Sequence, residues 1–270
     1  MREISFEEHK KIELDILINF AEFCEKHSLN YFLAYGTLIG AVRHKRFIPW
    51  DDDIDVQMPR PDYEKFVKIY NSEKDCRYYH FIDPADEDAV HTMGKIVDKR
   101  TVKKEPGVKY HKSDSHGVDI DIFPIDGQPE DEKEYRRFYL KKEFMFKMYS
   151  FAVEDFSKRT IPQKLRGVLF YIIASQNGKN HYLEKAIKIN EKYSFYQSKY
   201  VGSIIAKCNT IRDRVRVECY ESYQLSEFEG YEFRIPVGYD EVLTKLYGEY
   251  MKLPPAEERI THHSNKVYWK

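Results

Sequence analysis

The segment that decides the fold runs from Tyr35 to Val56 and reads YGTLIGAVRHKRFIPWDDDIDV. Near its end, Asp51, Asp53 and Asp55 occupy alternate positions. In an extended strand, alternate side chains point to one face and neighbours on that face lie roughly 6.6 Å apart. Two carboxylates at that distance repel each other by about 2.5 kcal/mol at an effective dielectric constant of about 20. A partly buried cluster of this kind needs a cation, and its hard oxygen ligands favour Mg²⁺ or Mn²⁺.

A second acidic segment strengthens the prediction of a metal site. Residues 118–123 read VDIDIF and supply Asp119 and Asp121 on another predicted strand. Carboxylates from two separate strands are what a metal site that clamps a phosphate requires. The alternative for the DDD run is a solvated acidic turn that caps a helix, because charge runs usually lie in water. The alternation of Ile54 and Val56 with the acids, together with the second strand, favours the metal site.

The turn at Gly36 and Thr37 predicts a phosphate-binding element. A glycine permits close approach of backbone N–H groups to phosphate oxygens, and the threonine hydroxyl adds a donor. A Gly-Thr turn before a D-x-D strand resembles nucleotidyltransferases of the polymerase-β type. Arg43, on the helix predicted to follow the turn, is either a phosphate ligand or a surface charge.

Composition indicates a folded protein and argues against several classes of function. The 270 residues include 44 Lys plus Arg and 45 Asp plus Glu, so the net charge of -1 gives no electrostatic case for nucleic acid. The first residues lack the apolar core of a signal peptide, and the longest apolar run, 168–174, is too short to cross a bilayer. We therefore expect a soluble, cytoplasmic protein. The four cysteines are far apart and are predicted to be free thiols.

Hydrophobic periodicity predicts a sheet in the first half of the chain and helices in the second. The first half has the patterns of strands at 31–35, 53–58, 95–98 and 117–123 and of helices at 6–27 and 63–70. Residues 130–200 are charged and have a helical pattern, and a short β segment then precedes a helix at 239–246. The expected fold class is α+β, a mixed sheet flanked by helices with a mainly helical second half.

Four segments closely resemble the LicD family of phosphocholine transferases, which also contains fukutin and fukutin-related protein. They read GTLIGAVRHKRFIPWDDDIDVQMPRPDYEKF (36–66), GKIVDKRT (94–101), HGVDIDIFPIDG (116–127) and FEGYEFRIPVGYDEVLTKLYGEYMKLPPAEERITHH (228–263). The resemblance implies a nucleotidyltransferase-like catalytic core over 1–128. Residues 129–270 would form a mainly helical region whose C-terminal segment returns to the active site, and both regions would belong to one compact unit.

The resemblance also assigns roles to the acidic residues. Asp53 and Asp55 match the D-x-D metal ligands of the family, and Asp121 falls on its third acidic position. Asp119 stands where relatives usually have an apolar or aromatic residue, so it is either an extra ligand or a polar neighbour. Either Asp51 or Asp119 is the candidate proton acceptor from the attacking hydroxyl.

Substrate-binding candidates lie in the same segments. Lys95 and Arg43 are candidates for phosphate contacts, with a solvent-exposed role as the alternative. Trp50 could hold a choline trimethylammonium on its aromatic face, or it could be a core aromatic residue. His262 and His263 match a C-terminal family motif and either close the site or form a structural pair.

The function implied by the resemblance is Mg²⁺-dependent (or Mn²⁺-dependent) transfer of phosphocholine from CDP-choline to a hydroxyl of a cell-surface glycan precursor, with release of CMP. The acceptor would be a lipid-linked or surface glycan such as teichoic acid, lipopolysaccharide or capsule. Transfer of ribitol phosphate or glycerol phosphate from another CDP-linked donor, and nucleotidyl transfer, are alternatives. A non-catalytic glycan-binding protein would be expected to have lost these acids.

Residues 164–175 raise a further possibility. They join Lys164 and Arg166 to an apolar run, which predicts a buried core element or, as the alternative, a peripheral contact with the inner face of a membrane.

Overall fold

The structure is a computed structural model that describes residues 1–72, 77–87, 89–104, 116–190, 192–204, 211–260 and 266–270. Its strands are β1 (Phe32–Leu33), β2 (Asp55–Pro59), β3 (Tyr79–Ile82), β4 (Gly94–Asp98), β5 (Thr101–Lys104), β6 (Asp119–Gln128), β7 (Tyr200–Gly202), β8 (Val215–Arg216), β9 (Tyr223–Phe228), β10 (Tyr231–Pro236) and β11 (Lys266–Trp269). Its α-helices are α1 (Phe6–Lys26), α2 (Tyr35–Ile39), α3 (Arg60–Ile69), α4 (Glu132–Val153), α5 (Ile161–Asn177), α6 (Lys179–Asn190) and α7 (Tyr239–Tyr247).

A mixed sheet forms the centre of the molecule, as predicted. Its strand order is β1-β2-β6-β4-β3, and β7 and β8 extend it from the far end of β6. The pair β2–β6 is parallel, whereas β1–β2, β4–β6, β3–β4 and β6–β7 are antiparallel. Strand β6 therefore has partners along both edges and is the hub of the sheet.

Helix α1 packs on the sheet through the face that its sequence predicts. The side chain of Ser5 accepts a hydrogen bond from the Glu8 N–H and caps the helix. Ile12, Ile16 and Phe20 are buried at the predicted helical spacing and belong to the main hydrophobic core. That core also includes residues of β2, β6, β10 and β11, so it joins both halves of the sequence.

The helices of the second half form their own layer. The side chain of Asp131 caps α4, and Thr160 with Gln163 forms a capping box at the start of α5. Residues of α4, α5 and α6 pack with Phe123 of β6 in a second hydrophobic cluster. The interpretation of 164–175 as a buried core element is wrong for most of its length, because only Gly167 and Ala174 of α5 are buried.

The C-terminal third returns to the first half of the chain. Glu229 and Gly230, with φ angles of 53° and 82°, form the two-residue turn of the β9–β10 hairpin. The Glu229 N–H donates to the Lys45 carbonyl, and the Phe47 N–H donates to Oε1 of Glu229. The hairpin thus lies against the loop that leads to the acidic segment.

Cys24 and Cys219 are free and buried, as predicted, whereas Cys76 and Cys208 lie outside the described residues. Among the helices in the described ranges, none combines the length and the apolar character needed to span a bilayer.

Candidate active site

Three charged residues form a row across the middle of the sheet. Asp55 of β2 is the register partner of Asp121 on β6, and Asp121 is also the partner of Lys95 on β4. Because neighbouring strands lie roughly 4.8 Å apart, the three residues stand side by side in the order carboxylate, carboxylate, ammonium. The structure therefore brings together Asp55 and Asp121, two of the three predicted metal ligands, and places Lys95 next to them.

Lys95 is buried among carboxylates, which argues against the solvent-exposed alternative, and its contact with a phosphate stays a prediction. Its Nζ donates to Oδ1 of Asp119 at 2.7 Å and to Oδ1 of Asp121. Burial disfavours the ammonium, but the attraction of Asp119 and Asp121 outweighs it and raises the pKa of Lys95 well above its ordinary value. Lys103 contacts the other Asp119 oxygen at 3.2 Å. Burial opposes ionisation of Asp119, yet Lys103 and Lys95 hold its pKa well below the usual range.

The carboxylates on the other side of the row repel each other. Asp55 is only 9% exposed. Burial, followed by the charges of Asp53, Asp121 and Asp51, raises the pKa of Asp55 well above its ordinary value, and Lys95 only partly compensates. This is the electrostatic environment that the alternating acids predict. It favours a bound cation, which would relieve the repulsion.

Several carboxylates beside the row could serve as ligands of a divalent metal. A cavity of about 70 Å³ is lined by residues that include Asp52, Asp53, Asp119 and Asp121. In the described ranges, no three His, Cys, Asp or Glu side chains converge on one point as a complete ligand set. Mg²⁺ suits such a site, because it is usually held by one or two carboxylates together with waters and substrate phosphates. The chemistry of the residues therefore fits a metal that is completed by its substrate.

Gly36 and Thr37, which were predicted to form a turn before a helix, lie within helix α2 and position the acidic segment. A Cβ atom on Gly36 would lie 2.6 Å from Oδ2 of Asp51, so only glycine allows that carboxylate to approach. The buried hydroxyl of Thr37 accepts from the Asp55 N–H at 2.8 Å and donates to the Asp53 carbonyl at 3.4 Å. These bonds explain why β2 begins at Asp55 and not at Asp53 as predicted. The phosphate contacts of Gly36 and Thr37 stay predictions.

Arg43 has protein partners in this structure. It lies in the π-helical turn Gly40–His44, and its guanidinium donates to the carbonyls of Tyr250 and Lys252. Arg43 is therefore more than the isolated surface charge that the sequence allowed. It ties the segment after α2 to the C-terminal region, and its contact with a phosphate stays a prediction.

Trp50 has a structural role, and its contact with a choline group stays a prediction. Its side chain is half-buried against the main core. The guanidinium of Arg259 lies 5.7 Å from the centre of the Trp50 ring, which is within the range of a cation–π interaction. His262 and His263 fall outside the described residues, and their role is not addressed by the structure.

Glu13 of α1 is a site residue that the sequence analysis missed. It lines the same cavity, is 2% exposed, and its Oε1 lies 3.3 Å from Nε2 of His9. Its Oε2 accepts no hydrogen bond from the described residues. Burial, followed by the charges of Asp53 and Asp119, raises the pKa of Glu13 well above its ordinary value. The available signal was a carboxylate within the apolar stripe of an amphipathic helix, beside Ile12.

Comparison with known proteins identifies the family of the chain. Residues 28–163 match the family described as LicD/FKTN/FKRP, nucleotidyltransferase domain. The chain is also 35% identical over 278 residues to the lipopolysaccharide cholinephosphotransferase LicD of Haemophilus influenzae, covering 99% of each protein. The chain belongs to the LicD family. As a LicD-type protein it is a phosphotransferase, in agreement with the enzyme class implied by its motifs.

Two further relatives of this LicD protein match over shorter segments. An uncharacterized protein of Rickettsia typhi is 39% identical over 57 residues, which cover 21% of this chain and 18% of the relative. An uncharacterized protein of Rickettsia prowazekii is 44% identical over 41 residues, 15% of each chain. The row of Asp55, Asp121 and Lys95 lies inside the matched LicD domain. Glu13 and the β9–β10 hairpin lie outside it, so segments beyond the domain also shape the site.

Proposed function

We propose that this LicD protein transfers phosphocholine from CDP-choline to a hydroxyl of a cell-surface glycan precursor and releases CMP. The observation that carries the proposal is the similarity, over essentially the whole length of both chains, to a lipopolysaccharide cholinephosphotransferase. That name favours a lipopolysaccharide acceptor over teichoic acid or capsule. The description of the matched domain supports a nucleotidyltransferase-like core, and a cytoplasmic enzyme would meet its CDP-linked donor directly.

The acidic residues would hold Mg²⁺, with Mn²⁺ as the substitute. Asp53, Asp55 and Asp121 are the candidate protein ligands, and the metal would use one or two of them, with waters and donor phosphates completing its shell. When bound, the metal would neutralise charge on the donor phosphates while the bond to the leaving nucleotide stretches. The repulsion around Asp55 supports this assignment, because ionised carboxylates at this density are stabilised by a cation.

The remaining residues would orient the reactants. Both oxygens of Asp119 are in ion pairs with lysines, so Asp119 serves to anchor Lys95 and Lys103. Lys95 then presents a fixed positive charge beside Asp121, where a donor phosphate would lie. Asp51, next to Gly36, is the better candidate to take the proton of the acceptor hydroxyl. The hydroxyl oxygen forms a bond to the choline-bearing phosphorus, and the bond from that phosphorus to the oxygen of CMP breaks.

Analysis of both products by mass spectrometry tests the proposal. Purified protein is incubated with Mg²⁺, CDP-choline and a lipopolysaccharide acceptor that lacks phosphocholine. We expect CMP in solution and a phosphocholine addition on the acceptor. A CMP addition on the acceptor, with release of free phosphocholine, would place the attack on the other phosphorus and contradict the proposal.

Competing donors make the test specific. CDP-ribitol, CDP-glycerol and nucleoside triphosphates are compared with CDP-choline in the same reaction and in thermal unfolding with Mg²⁺ present. A ligand that binds only the native state raises the unfolding temperature. Stronger protection and faster transfer with CDP-ribitol or CDP-glycerol would replace phosphocholine by that phospho-alditol while leaving the reaction class unchanged.

A further inference from the structure

Helix α5 exposes an apolar face that the described parts of the chain leave uncovered. Its large apolar residues in contact with solvent include Ile161, Leu165, Val168, Leu169, Ile172 and Ile173, which we call the α5 apolar face. Leu165 is 76% exposed and Leu169 is 64% exposed. Single exposed apolar side chains are normal on soluble proteins, whereas a contiguous patch marks an interaction site.

The helical geometry separates this face sharply from the side that packs on the protein. At roughly 100° per residue, the α5 apolar face covers an arc of roughly 140°. The two buried residues of the helix, Gly167 and Ala174, lie on the opposite side. On the helix surface, Lys164 lies just beyond one edge of the apolar arc and Arg166 lies just beyond the other. A solvent-facing apolar arc with a cation at each border is the pattern of a helix that lies in a membrane interface.

The charge of the surrounding segment is strongly biased. Residues 156–183 contain five Lys or Arg and no Asp or Glu, although acids and bases are balanced over the whole chain. Arg159 is neutralised by Glu154 in an ion pair. Lys158, Lys164 and Arg166 form no salt bridge within the described residues, so their charges remain available to an external anionic surface. Such a surface attracts juxtaposed basic side chains.

We propose that α5 lies in the plane of an anionic phospholipid membrane, with its apolar face in the acyl boundary and its basic edges among the headgroups. Helix α5 has 17 residues and is too short to be a candidate membrane span, which agrees with in-plane binding. A second copy of the chain is a poorer occupant. A two-fold contact through the same face would place Lys164 and Arg166 against the same cations of the partner, whereas lipid phosphates complement them.

The packing of α5 links this membrane contact to the candidate site. Ala174 of α5 belongs to the hydrophobic cluster that also contains Phe123. Phe123 lies two residues after Asp121 on β6, and Tyr35 at the start of α2 packs against the same cluster. The docking helix and the acidic row are therefore parts of one packed unit. Binding through α5 goes beyond the proposed reaction and does not depend on which donor or acceptor is used.

Co-flotation of the full-length protein with vesicles tests the proposal. Phosphatidylcholine vesicles are compared with mixed phosphatidylcholine–phosphatidylglycerol vesicles at low and high salt. We expect binding to the mixed vesicles, weakened by salt. The double substitution Leu165→Ser with Leu169→Ser should lower partitioning at least about a hundredfold, because each leucine loses its transfer into the acyl boundary. Lys164→Gln with Arg166→Gln should lower it about thirtyfold, on anionic vesicles only.

Matched controls separate membrane binding from general effects. Leu225→Ser with Ile260→Ser removes two exposed apolar residues elsewhere, which are 54% and 56% exposed, and should bind vesicles like the wild type. Unfolding temperatures of all variants show that the fold is intact, as expected at exposed positions. Failure of the wild type to bind mixed vesicles at low salt would overturn the proposal. So would a lipid-free dimer that the Leu165→Ser and Leu169→Ser substitutions dissociate, because the face would then be a contact between copies.

Discussion

Asp126 is expected to be the most important single charge for stability, and Asp126→Asn tests this directly. The carboxylate is 2% exposed at the end of β6 and accepts from Nε and Nη2 of Arg60 at 2.6 and 2.9 Å. It also lies 3.6 Å from Nζ of Lys142, which is fully buried, and accepts from the side chain of Asn190. The residue thus joins β6 to α3, α4 and α6 through one buried charge.

The loss of stability expected for Asp126→Asn follows from the buried basic groups that the substitution would leave without a counter-charge. Burial opposes ionisation of Asp126, but Arg60 and Lys142 outweigh it and lower its pKa. Asp126→Asn leaves the guanidinium of Arg60 without its counter-charge and removes the charge that helps to keep Lys142 protonated, and breaking a buried pair in this way costs about 3–5 kcal/mol. For a chain of this size, about 1 kcal/mol corresponds to roughly 2–4 °C, so the unfolding temperature should fall by roughly 6–20 °C.

Thermal and urea unfolding of three variants measures the effect. The control Glu130→Gln breaks the Lys199–Glu130 ion pair, whose side chains are 54% and 67% exposed, and should leave the unfolding temperature unchanged. Adding Lys142→Met to Asp126→Asn removes the buried amine that has lost its counter-charge and should recover part of the loss. The reasoning is refuted if Asp126→Asn unfolds at the same temperature as Glu130→Gln.

Four further predictions follow from the same structure. Burial lowers the pKa of Lys142 to about 8 from 10.5, so between these pH values the unfolded chain keeps a proton that the folded chain has lost. The stability of the wild type relative to Lys142→Met should therefore rise across this window in urea titrations, and a constant difference would contradict the prediction. Asp55→Asn should abolish CMP release without lowering the unfolding temperature, because it relieves repulsion among carboxylates; activity retained at saturating Mg²⁺ would disprove the ligand assignment. Glu13→Gln removes a crowded, buried carboxylate and should unfold at the same or a higher temperature, whereas a clear decrease would show that the charge is stabilising. Gly36→Ala should slow turnover with little change in folding, because the new Cβ displaces Asp51, and unchanged kinetics would argue against a role for that carboxylate.

The elements that the sequence predicted are those whose signal is local. Helix α1 was predicted to within a residue because its apolar spacing coincides with its buried face. The first acidic strand begins two residues later than predicted, because the N–H of Asp55 donates to the hydroxyl of Thr37 in α2. Strands β7 and β8 have only three and two residues. Strand β7 forms by pairing with β6 and β8 forms by pairing with β7, so no local pattern could indicate them.

In the candidate site, too, some features have a local sequence signal and others depend on tertiary contacts. The acidic residues were recognisable because alternation and motif spacing are properties of the sequence alone. The burial of Lys95 depends on the register between β4 and β6, which brings it opposite Asp121. The position of Glu13 depends on how α1 packs across the sheet, and the exposure of α5 depends on the narrow contact made by Gly167 and Ala174. Relations of this kind arise only from tertiary structure.

The position of β6 at the hub of the sheet affects how the protein folds while it is being translated. Strands β2 and β4 precede β6, but the strand that pairs with Asp126 and Gly127, namely β7, is made roughly 70 residues later. At about 5–20 residues per second, the end of β6 waits roughly 4–15 s for its partner while the helices between them are translated. An unpaired strand end is prone to wrong pairing during that interval. Synthesis of this chain should therefore depend on chaperones that shield nascent strands, and slower translation through the helical segment should lengthen that dependence.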